Sequence, residues 1–481
     1  MKKSIHLAPG LSISPVIIGL WQVADLERNG HLLDPVQAAK SMKAYVDAGL
    51  TTFDMADHYG SAEIIAGEYQ QTFGGVQLMT KWVPPPGTIT KDQVRTAVQK
   101  SLTRMQLDQI DLLQFHAWDY NHPSWLDCLF WLQELQEEGL IAHLGLTNFD
   151  SIHLNLVATS GIRVVSNQIC YSLLDQRAAG NMTQVCLHHN IKLFAFGTVA
   201  GGFLTEKWLA QPEPPMDEAL TWSQMKYKRF INQAGGWHKF QGLLNKLGEL
   251  SIKYNTSIAN LASRYMLEQP AVAGVIIGAR LGQSEHIFEN QQLQSTGLTA
   301  DCRNAIKDAL KMLDPIQGDC GDEYRKPPFL TASGDLSHHL DQLPSPYPVV
   351  VSGNGRTKVL SGTHWEDLAG FSRAIKKGNR IMVSGTTATH GSKLIGGDDP
   401  SAQMHFILDK IEGAILSLGG KLEDVVRTRI FIKNASDWEA IARVHGERFR
   451  FIQPANTLIR ADLIGDEYLV EMEAEAIIDD Q

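Results

Sequence analysis

Eight short apolar runs recur through roughly the first 300 residues of the chain, and stretches with helical periodicity separate them. The runs are VIIGL, TTFDM, VQLMTKW, IDLLQFHA, IAHLGLTN, VVSNQICY, IKLFAFG and AGVIIGA. Between them, DQVRTAVQKSLTRM places Val94, Val98 and Leu102 on one helical face, and SWLDCLFWLQELQEEG ends in Gly139, which is typical of a helix C-terminus. This alternation predicts an α/β fold, a closed parallel (β/α)8 TIM barrel. A doubly wound open sheet is the alternative, but the regularity of eight units favours the barrel.

The composition and periodicity of the sequence change near residue 313. Residues 313–345 are rich in Pro, Gly and Asp and show no clear period, which predicts a linker between domains. Beyond it, RIMVSGTTA and VVRTRIFIKN predict strands, SAQMHFILDKIEGAILSLGG and ASDWEAIARVHGERF predict helices, and EYLVEMEAEAIID alternates like a half-buried strand. We therefore expect a barrel over 1–312 and a smaller α+β domain over 346–481.

Composition narrows the classes of partner. The formal net charge of -10 argues against nucleic acid or an anionic membrane as a bulk partner. No apolar h-region follows the two N-terminal lysines, and no run approaches the length of a membrane span, so we expect neither a secretion signal nor a spanning helix. The five cysteines are scattered without a CxxC pair, which predicts no metal site and no disulfide framework, and indicates a cytoplasmic protein.

Polar side chains stand where the apolar runs end, and in a parallel barrel the chemistry lies at the C-terminal ends of the strands. In chain order these side chains are Asp54, His58 and Tyr59, then Lys81, then His116 and Asp119, then Thr147 and Asn148, then Asn167 and Gln168, and finally Phe196. Taken singly, each has an ordinary structural explanation, such as a helix cap or a solvated lysine. Together, an Asp, a Tyr, a Lys and a His on adjacent strands predict a site.

Those four residue types together can make a tyrosine into a proton donor. A tyrosine with a pKa of about 10 is a poor proton donor near neutrality. We expect a cationic Lys81 to lower the pKa of Tyr59, and Asp54 to pair with Lys81 and compensate its burial. His116 is expected to donate a hydrogen bond to a substrate carbonyl oxygen. Such a set would protonate an oxygen as hydride reaches the adjacent carbon.

The motifs GLWQ, FDMADHYGSAE, MTKW, LLQFH, GLTNF, NQICYSLLD and IIGARLGQSEHIFEN occur in the order and at the spacing of the aldo-keto reductase family, which residues 5–312 resemble. The resemblance implies a barrel that uses NADPH to interconvert carbonyls and alcohols. It implies a catalytic tetrad of Asp54, Tyr59, Lys81 and His116. The cofactor contacts that it implies are Thr147, Asn148 and Gln168 at the carboxamide, Phe196 stacked on the ring, and Glu289 and Asn290 on the adenine side.

Two residues near the end of the barrel, Gly278 and Arg280, bear on whether the cofactor is NADPH or NADH. Gly278 allows close approach of backbone to a phosphate, and the neighbouring Arg280 could fork onto a 2'-phosphate, which favours NADPH over NADH. Without the family resemblance, a surface arginine is the simpler interpretation of Arg280. The sequence departs from the family pattern at Met55, at FGTV after the seventh strand, and in a longer segment from Gly278 to Asn290. Trp21 is a candidate at the cofactor and the substrate mouth, which His58, Trp82 and Trp118 would also line, although each Trp could equally pack under a loop.

The motifs GFSRAIKKGNRIMVSGTTA, PANTLIRADL and LVEMEAEAI of the second domain resemble the Rid (YjgF-like, reactive-intermediate deaminase) family over about residues 348–479. Family members form homotrimers with ligand clefts between subunits. The resemblance places cleft residues at Phe371, Ser384, Asn456 and Glu471. Asn456 stands where active deaminases hold a substrate carboxylate with Arg, which argues against the usual deaminase activity. Arg373 and Arg460 are nearby in sequence, although solvated strand residues are the simpler interpretation.

The leading hypothesis is an NADPH-dependent oxidoreductase of the EC 1.1.1 type that reduces a small-molecule aldehyde or ketone, carried on a Rid-like module for trimerisation or ligand binding. One alternative is a non-catalytic, cofactor-sensing binding subunit. Another is a two-step enzyme that couples imine deamination to carbonyl reduction.

Overall fold

The eight apolar runs form a closed parallel barrel in a computed structural model that describes residues 4–27, 30–217, 219–283, 286–331 and 343–479. The hairpin strands are β1 (Ile5–Ala8) and β2 (Leu11–Ile13), and the barrel strands are β3 (Val16–Gly19), β4 (Thr52–Asp54), β5 (Gln77–Trp82), β6 (Ile110–Phe115), β7 (Ile141–Thr147), β8 (Ser166–Cys170), β9 (Lys192–Phe196) and β10 (Val272–Gly278). Each barrel strand pairs with its neighbours in chain order, and β10 closes the barrel against β3. The predicted TIM barrel is confirmed.

Helices surround the barrel because each presents an apolar stripe to the strands. They are α1 (Trp21–Leu26), α2 (Pro35–Asp47), α3 (Ala62–Thr72), α4 (Lys91–Met105), α5 (Ser124–Glu137), α6 (Ser151–Thr159), α7 (Asn181–His188), α8 (Trp222–Gln233), α9 (Gly236–Tyr254), α10 (Ile258–Leu267), α11 (Ile287–Ser295) and α12 (Ala300–Leu310). On α4, Val94, Val98 and Leu102 are buried as predicted, and Thr90 caps the helix with Gln93 in a capping box.

A smaller α+β unit follows, as the sequence predicts. Its strands are β11 (Val349–Ser352), β12 (Arg356–Val359), β13 (Ala374–Lys377), β14 (Arg380–Thr387), β15 (Thr389–His390), β16 (Lys393–Leu394), β17 (Val425–Ile432), β18 (Ala455–Arg460) and β19 (Val470–Ile477). Seven of them form one sheet in the order β11-β12-β13-β14-β19-β17-β18. Its helices are α14 (His364–Ala369), α15 (Pro400–Ser417) and α16 (Trp438–Phe449). On β19, alternate residues from Val470 to Ala476 are buried, and α15 packs on this sheet.

Short 3-10 turns lie between these elements, at Arg177–Ala179, Ala200–Gly202, Glu206–Trp208, Leu422–Asp424 and Ala435–Asp437. None of the helices in the described ranges combines the length and apolar composition needed to cross a membrane. Likewise, no group of three or more His, Cys, Asp or Glu side chains is placed to hold a metal ion among the residues that can be described.

Part of the predicted linker is bound to the barrel. It contains a short helical turn, α13 (Asp322–Arg325). The Ser151 backbone N–H donates to Asp319 at 2.9 Å, and Arg177 pairs with Glu323 at 2.9 Å. These contacts hold the segment at the C-terminal end of the barrel strands. Residues 332–342 of the predicted linker lie outside the described residues, and the two domain boundaries stay predictions.

A buried histidine joins the two units. His153 of α6 contacts Asp150 through Nδ1 at 2.7 Å and Asp409 of α15 through Nε2 at 2.9 Å. Its ring stacks on Tyr120 at 3.4 Å between centroids, and Arg448 donates to Asp409 at 2.5 Å. Burial alone would lower the pKa of His153, but the two carboxylates raise it to about 9. His153 is therefore a cation that links the barrel to the second unit.

The raised pKa of His153 predicts that this link weakens in alkali. A folded-state pKa of about 9, against about 6.5 in the unfolded chain, gives a stabilisation that is complete below pH 6.5 and is lost as pH rises through 9. The difference in free energy of unfolding between the wild type and His153→Gln should fall by about 3 kcal/mol across that window. Chemical denaturation at a series of pH values measures it.

His143→Gln is the matched control, because His143 is partly exposed and its Nε2 contacts only the Pro9 carbonyl oxygen among the described residues. This variant should follow the wild-type pH curve. A gap between wild type and His153→Gln that stays constant from pH 6.5 to 9.5 would contradict the charged link.

Candidate active site

An ion pair lies inside the mouth of the barrel. Asp54 is the last residue of β4, and Lys81 belongs to the adjacent β5. The Lys81 Nζ atom lies 2.5 Å from Asp54 Oδ2 and donates to the Met55 carbonyl oxygen at 2.9 Å. Both side chains are only 4% exposed. A charge this deeply buried requires a partner, and each of the two groups is the partner of the other.

Two amides hold the other oxygen of the carboxylate. Gln114 of β6 and Gln168 of β8 donate to Asp54 Oδ1 at 3.0 and 2.8 Å. Sequence reasoning missed Gln114, although its place among inward-facing residues of β6 was a usable signal. The amide nitrogen of Gln168 also donates to Gln114, so it is engaged inside the barrel rather than free for the predicted carboxamide contact.

Tyr59 lies over this pair, with the Lys81 Nζ atom 5.0 Å from the centre of its ring. The expected direction of its pKa shift is wrong. Burial, followed by the negative charge of Asp54, raises the pKa of Tyr59 well above its usual value. Tyr59 therefore holds its proton in this site.

His116 is a neutral ring with one unsatisfied nitrogen. Burial, and then the nearby Arg325, lower the pKa of His116 well below its ordinary value. Its Nδ1 lies 3.3 Å from the Thr147 carbonyl oxygen, which can only accept, so Nδ1 carries the hydrogen. Nε2 is buried, has no hydrogen-bond partner among the described residues, and is an acceptor in this tautomer. The expected donation to a carbonyl oxygen is not available in this tautomer.

The predicted carboxamide contacts lie at the end of β7. Thr147 is buried, and its hydroxyl donates to the Gln168 carbonyl oxygen at 3.2 Å. Asn148 has a left-handed backbone with φ of 58°. Its Oδ1 atom is buried without a hydrogen-bond partner in the described ranges. An unsatisfied amide oxygen beside the tetrad fits a donor such as the carboxamide of a nicotinamide.

The predicted phosphate and adenine contacts lie around the end of β10. Gly278 is its exposed last residue. Arg280 pairs with Asp25 at 3.4 Å, its side chain is 34% exposed, and its Nε lacks a hydrogen-bond partner among the described residues. Asn290 is buried in α11, and the Glu289 carbonyl oxygen accepts from Asn260 at 3.0 Å. Arg280 thus keeps donor capacity for a phosphate.

Aromatic rings border the mouth. The Trp21 ring meets Tyr59 edge-on at 4.9 Å and His58 at 6.4 Å. Trp118 meets the His116 ring at 4.5 Å and donates to the Pro84 carbonyl oxygen. Trp82 is instead buried against Phe115, so its contact is one of packing.

Three further residues at the mouth escaped sequence reasoning. Tyr324 and Arg325 come from the predicted linker, and Lys226 comes from α8. Tyr324 packs against the His116 ring at 5.4 Å, and Arg325 donates to the Asn148 carbonyl oxygen at 2.7 Å. The Lys226 Nζ atom lies 4.6 Å from the centre of the Phe196 ring, the predicted stacking aromatic. Tyr324 and Arg325 were not predicted as site residues because the stretch that contains them was interpreted as a linker. An aromatic residue next to a cation in a Pro- and Gly-rich stretch was a usable signal of a binding role.

The predicted cleft of the second unit is only partly assembled within one chain. Glu471 of β19 lies against Gly385 beside Ser384, because a Cβ at Gly385 would stand 2.0 Å from Glu471 Oε1. The Arg373 guanidinium lies 5.5 Å from the Phe371 ring. Asn456 is on the edge strand β18, which two strands separate from β14, and donates to Thr428 Oγ1 at 2.8 Å.

Arg373 does not replace the missing carboxylate clamp. It is 4% exposed, and its Nη1 donates to the Gly385 carbonyl oxygen at 2.7 Å and to Thr386 Oγ1 at 2.8 Å. Its guanidinium is therefore committed to the protein.

Two family models match different parts of the chain. The model described as "Aldo/keto reductase family" matches residues 15–311, and the model described as "Endoribonuclease L-PSP" matches residues 363–478. The predicted resemblance of both parts is confirmed.

Individual relatives and solved structures are similar to one or other of these two parts. The uncharacterized oxidoreductase YqkF of Bacillus subtilis is 29% identical over 322 residues, which cover 63% of this chain and 92% of that protein. The glycerol dehydrogenase AKR11B4 from Gluconobacter oxydans is 21% identical over 66% of this chain and 98% of its own, with a TM-score of 0.54, a likeness of fold. Rv2704 from Mycobacterium tuberculosis, described as a member of the YjgF/YER057c/UK114 family, is 39% identical over 26% of this chain and 99% of its own, with a TM-score of 0.24.

Proposed function

The chain belongs to the Aldo/keto reductase family, a family of oxidoreductases, and from this premise we propose that it uses NADPH to reduce an aldehyde or ketone to an alcohol. The observation that carries the proposal is the buried pair of Asp54 and Lys81 beneath a protonated Tyr59. A barrel that served only to bind a cofactor would have no need of an acid held over a buried ammonium.

In the proposed reaction, bound NADPH supplies a hydride to the carbonyl carbon. Tyr59 gives its hydroxyl proton to the carbonyl oxygen, whose charge grows as the carbon–oxygen double bond becomes a single bond. The raised pKa of Tyr59 suits this role, because the phenol stays protonated until an alkoxide, a much stronger base than a phenolate, develops beside it. Lys81 then lies close to the new phenolate and stabilises it.

His116 has a different part from the one expected from sequence. Its neutral ring presents Nε2 as an acceptor, so it can receive a hydrogen bond from the finished alcohol but not from the carbonyl substrate. This contact orients the oxygen of the alcohol without supplying a proton.

Use of NADPH is supported by Arg280. Its only ion pair among the described residues is the 3.4 Å contact with Asp25, which leaves guanidinium donors for a 2'-phosphate. Asn148 Oδ1, Thr147 and the Phe196 ring supply the nicotinamide end of the proposed site.

The second unit is proposed to make the protein a homotrimer and to bind ligand at the subunit clefts. The outward-facing residues of its sheet support this. Met382 is 41% exposed there, and Arg429 pairs with Glu473 on the same face. A deaminase role is disfavoured, because Asn456 lacks a guanidinium and Arg373 is bound within the protein.

Tyr59→Phe tests the acid. Removing the hydroxyl proton should lower kcat for aldehyde reduction by about a hundredfold to ten-thousandfold, while NADPH affinity changes little. Loss of NADPH absorbance gives the rate, and quenching of protein fluorescence gives the affinity. A variant that retained its rate, or lost cofactor affinity instead, would contradict the role of Tyr59.

Arg280→Ala tests the choice of cofactor. Loss of charge-assisted hydrogen bonds should raise the Kd for NADPH by about tenfold to a hundredfold and leave that for NADH within about threefold. Arg303→Ala is the control, because Arg303 pairs with Glu268 at the surface. Equal effects of Arg280→Ala on the two cofactors would show that Arg280 does not read the phosphate.

Light scattering on the full chain tests the trimer, with a molar mass of three 53.3 kDa chains expected. Met382→Arg should dissociate it, because burial of the added charge in a subunit interface would be costly. Leu187→Arg, at a 56% exposed position on α7, should leave the mass unchanged. A monomer mass for the wild type would rule out the proposed assembly.

A further inference from the structure

The ammonium of Lys226 is surrounded by aromatic rings, and no described carboxylate lies within ion-pair distance of it. The charge of Glu323, which is itself paired with Arg177, acts on it from farther away. Its Nζ atom lies 4.6 Å from the centre of the Phe196 ring, 5.1 Å from that of Tyr324 and 5.8 Å from that of Tyr227. It donates one hydrogen bond, to the Tyr324 hydroxyl at 2.8 Å. An ammonium has three donors, and Lys226 is partly buried, so an anion would stabilise it. Lys226 therefore has unused capacity for an anionic ligand.

The ring of Tyr324 connects this cation to the reacting centre. It packs against the His116 ring at 5.4 Å between centroids, while its hydroxyl receives the hydrogen bond from Lys226. His116 Nε2 is itself buried without a partner among the described residues. Two polar groups with spare hydrogen-bonding capacity thus border one aromatic ring, and a molecule with polar groups at both ends could satisfy both of them.

We propose that Lys226 and Tyr324 bind the carboxylate of an anionic carbonyl substrate, so that the enzyme prefers aldehydes and ketones that carry a carboxylate. This inference rests on the proposed reductase function and names its substrate class. Lys226 offers two N–H donors, and the Tyr324 hydroxyl, which accepts from Lys226, still has its own hydrogen to donate. Burial raises the pKa of Tyr324, so this hydrogen is retained near neutral pH.

A cofactor phosphate is the other anion to consider, and the geometry favours the substrate. The candidate phosphate contact, Arg280, lies beyond β10 and pairs with Asp25 of α1. Lys226 instead contacts Phe196 and Tyr324, on the side of the mouth that adjoins His116.

The segment after the barrel holds this subsite in place. Arg325 donates to the Asn148 carbonyl oxygen and lies over the Tyr120 ring at 4.3 Å, while Glu323 pairs with Arg177. Tyr324 stands between these two anchors and is positioned by both. Specificity in this protein is therefore set by residues outside the eight barrel strands.

The experiment compares two aldehydes that differ in one charge, 4-carboxybenzaldehyde and methyl 4-formylbenzoate, with NADPH and the full chain. The wild type should show the higher kcat/KM on the acid. Lys226→Met should lower kcat/KM on the acid by about tenfold to a hundredfold, mostly through KM, and leave the ester within about twofold. Tyr324→Phe should act in the same direction with a smaller loss. Lys246→Met is the control, because Lys246 pairs with Glu249 on α9 and should change neither substrate.

Binding of the product 4-(hydroxymethyl)benzoate, measured by calorimetry in the presence of NADP+, separates this subsite from the reductase proposal. Product binding that is lost in Lys226→Met and kept in Lys246→Met would support the subsite, whether or not the aldehydes are reduced. Failure to reduce either aldehyde would overturn the reductase function and leave the subsite supported. Equal losses on acid and ester, no preference in the wild type, or a loss of NADPH affinity in Lys226→Met would overturn the subsite.

Discussion

The burial of one carboxylate against one ammonium organises the barrel mouth. Asp54 and Lys81 are nearly inaccessible, and each would be costly alone, since breaking a buried pair typically costs about 3–5 kcal/mol. The amides of Gln114 and Gln168 converge on the same carboxylate, so four adjacent or nearby strands are tied to one charge. Tyr59 lies above this arrangement, and its position follows from the pair beneath it.

Much of this could be predicted from sequence, because the determinants are local. Alternating apolar runs and helical stretches predict a barrel, and the polar residues that follow the apolar runs are the candidates for its site. The direction of the Tyr59 pKa shift could not be predicted, since it depends first on how deeply the ring is buried and then on how near Asp54 lies. Nor could the tautomer of His116, which follows from a contact with a backbone carbonyl on another strand.

The contacts between elements distant in sequence were the hardest to foresee. His153 and Asp409 are separated by 256 positions, and nothing in either local pattern indicates that they meet. Lys226 and Tyr324 are likewise far apart in the chain and meet through a segment whose composition is that of a linker. In both cases a charged side chain of the barrel contacts a residue that lies beyond the point where the composition of the sequence indicates the end of the barrel.

The short turn at Asp322–Arg325 has a consequence for how such a fusion can be divided. A fragment cut where the barrel pattern ends would lose an aromatic wall beside His116 and the guanidinium that spans two strand ends. Its measured selectivity would describe an incomplete pocket. If this barrel were fused to a different second domain, residues 322–325 would have to be kept with it, because they form part of the pocket as well as connecting the two units.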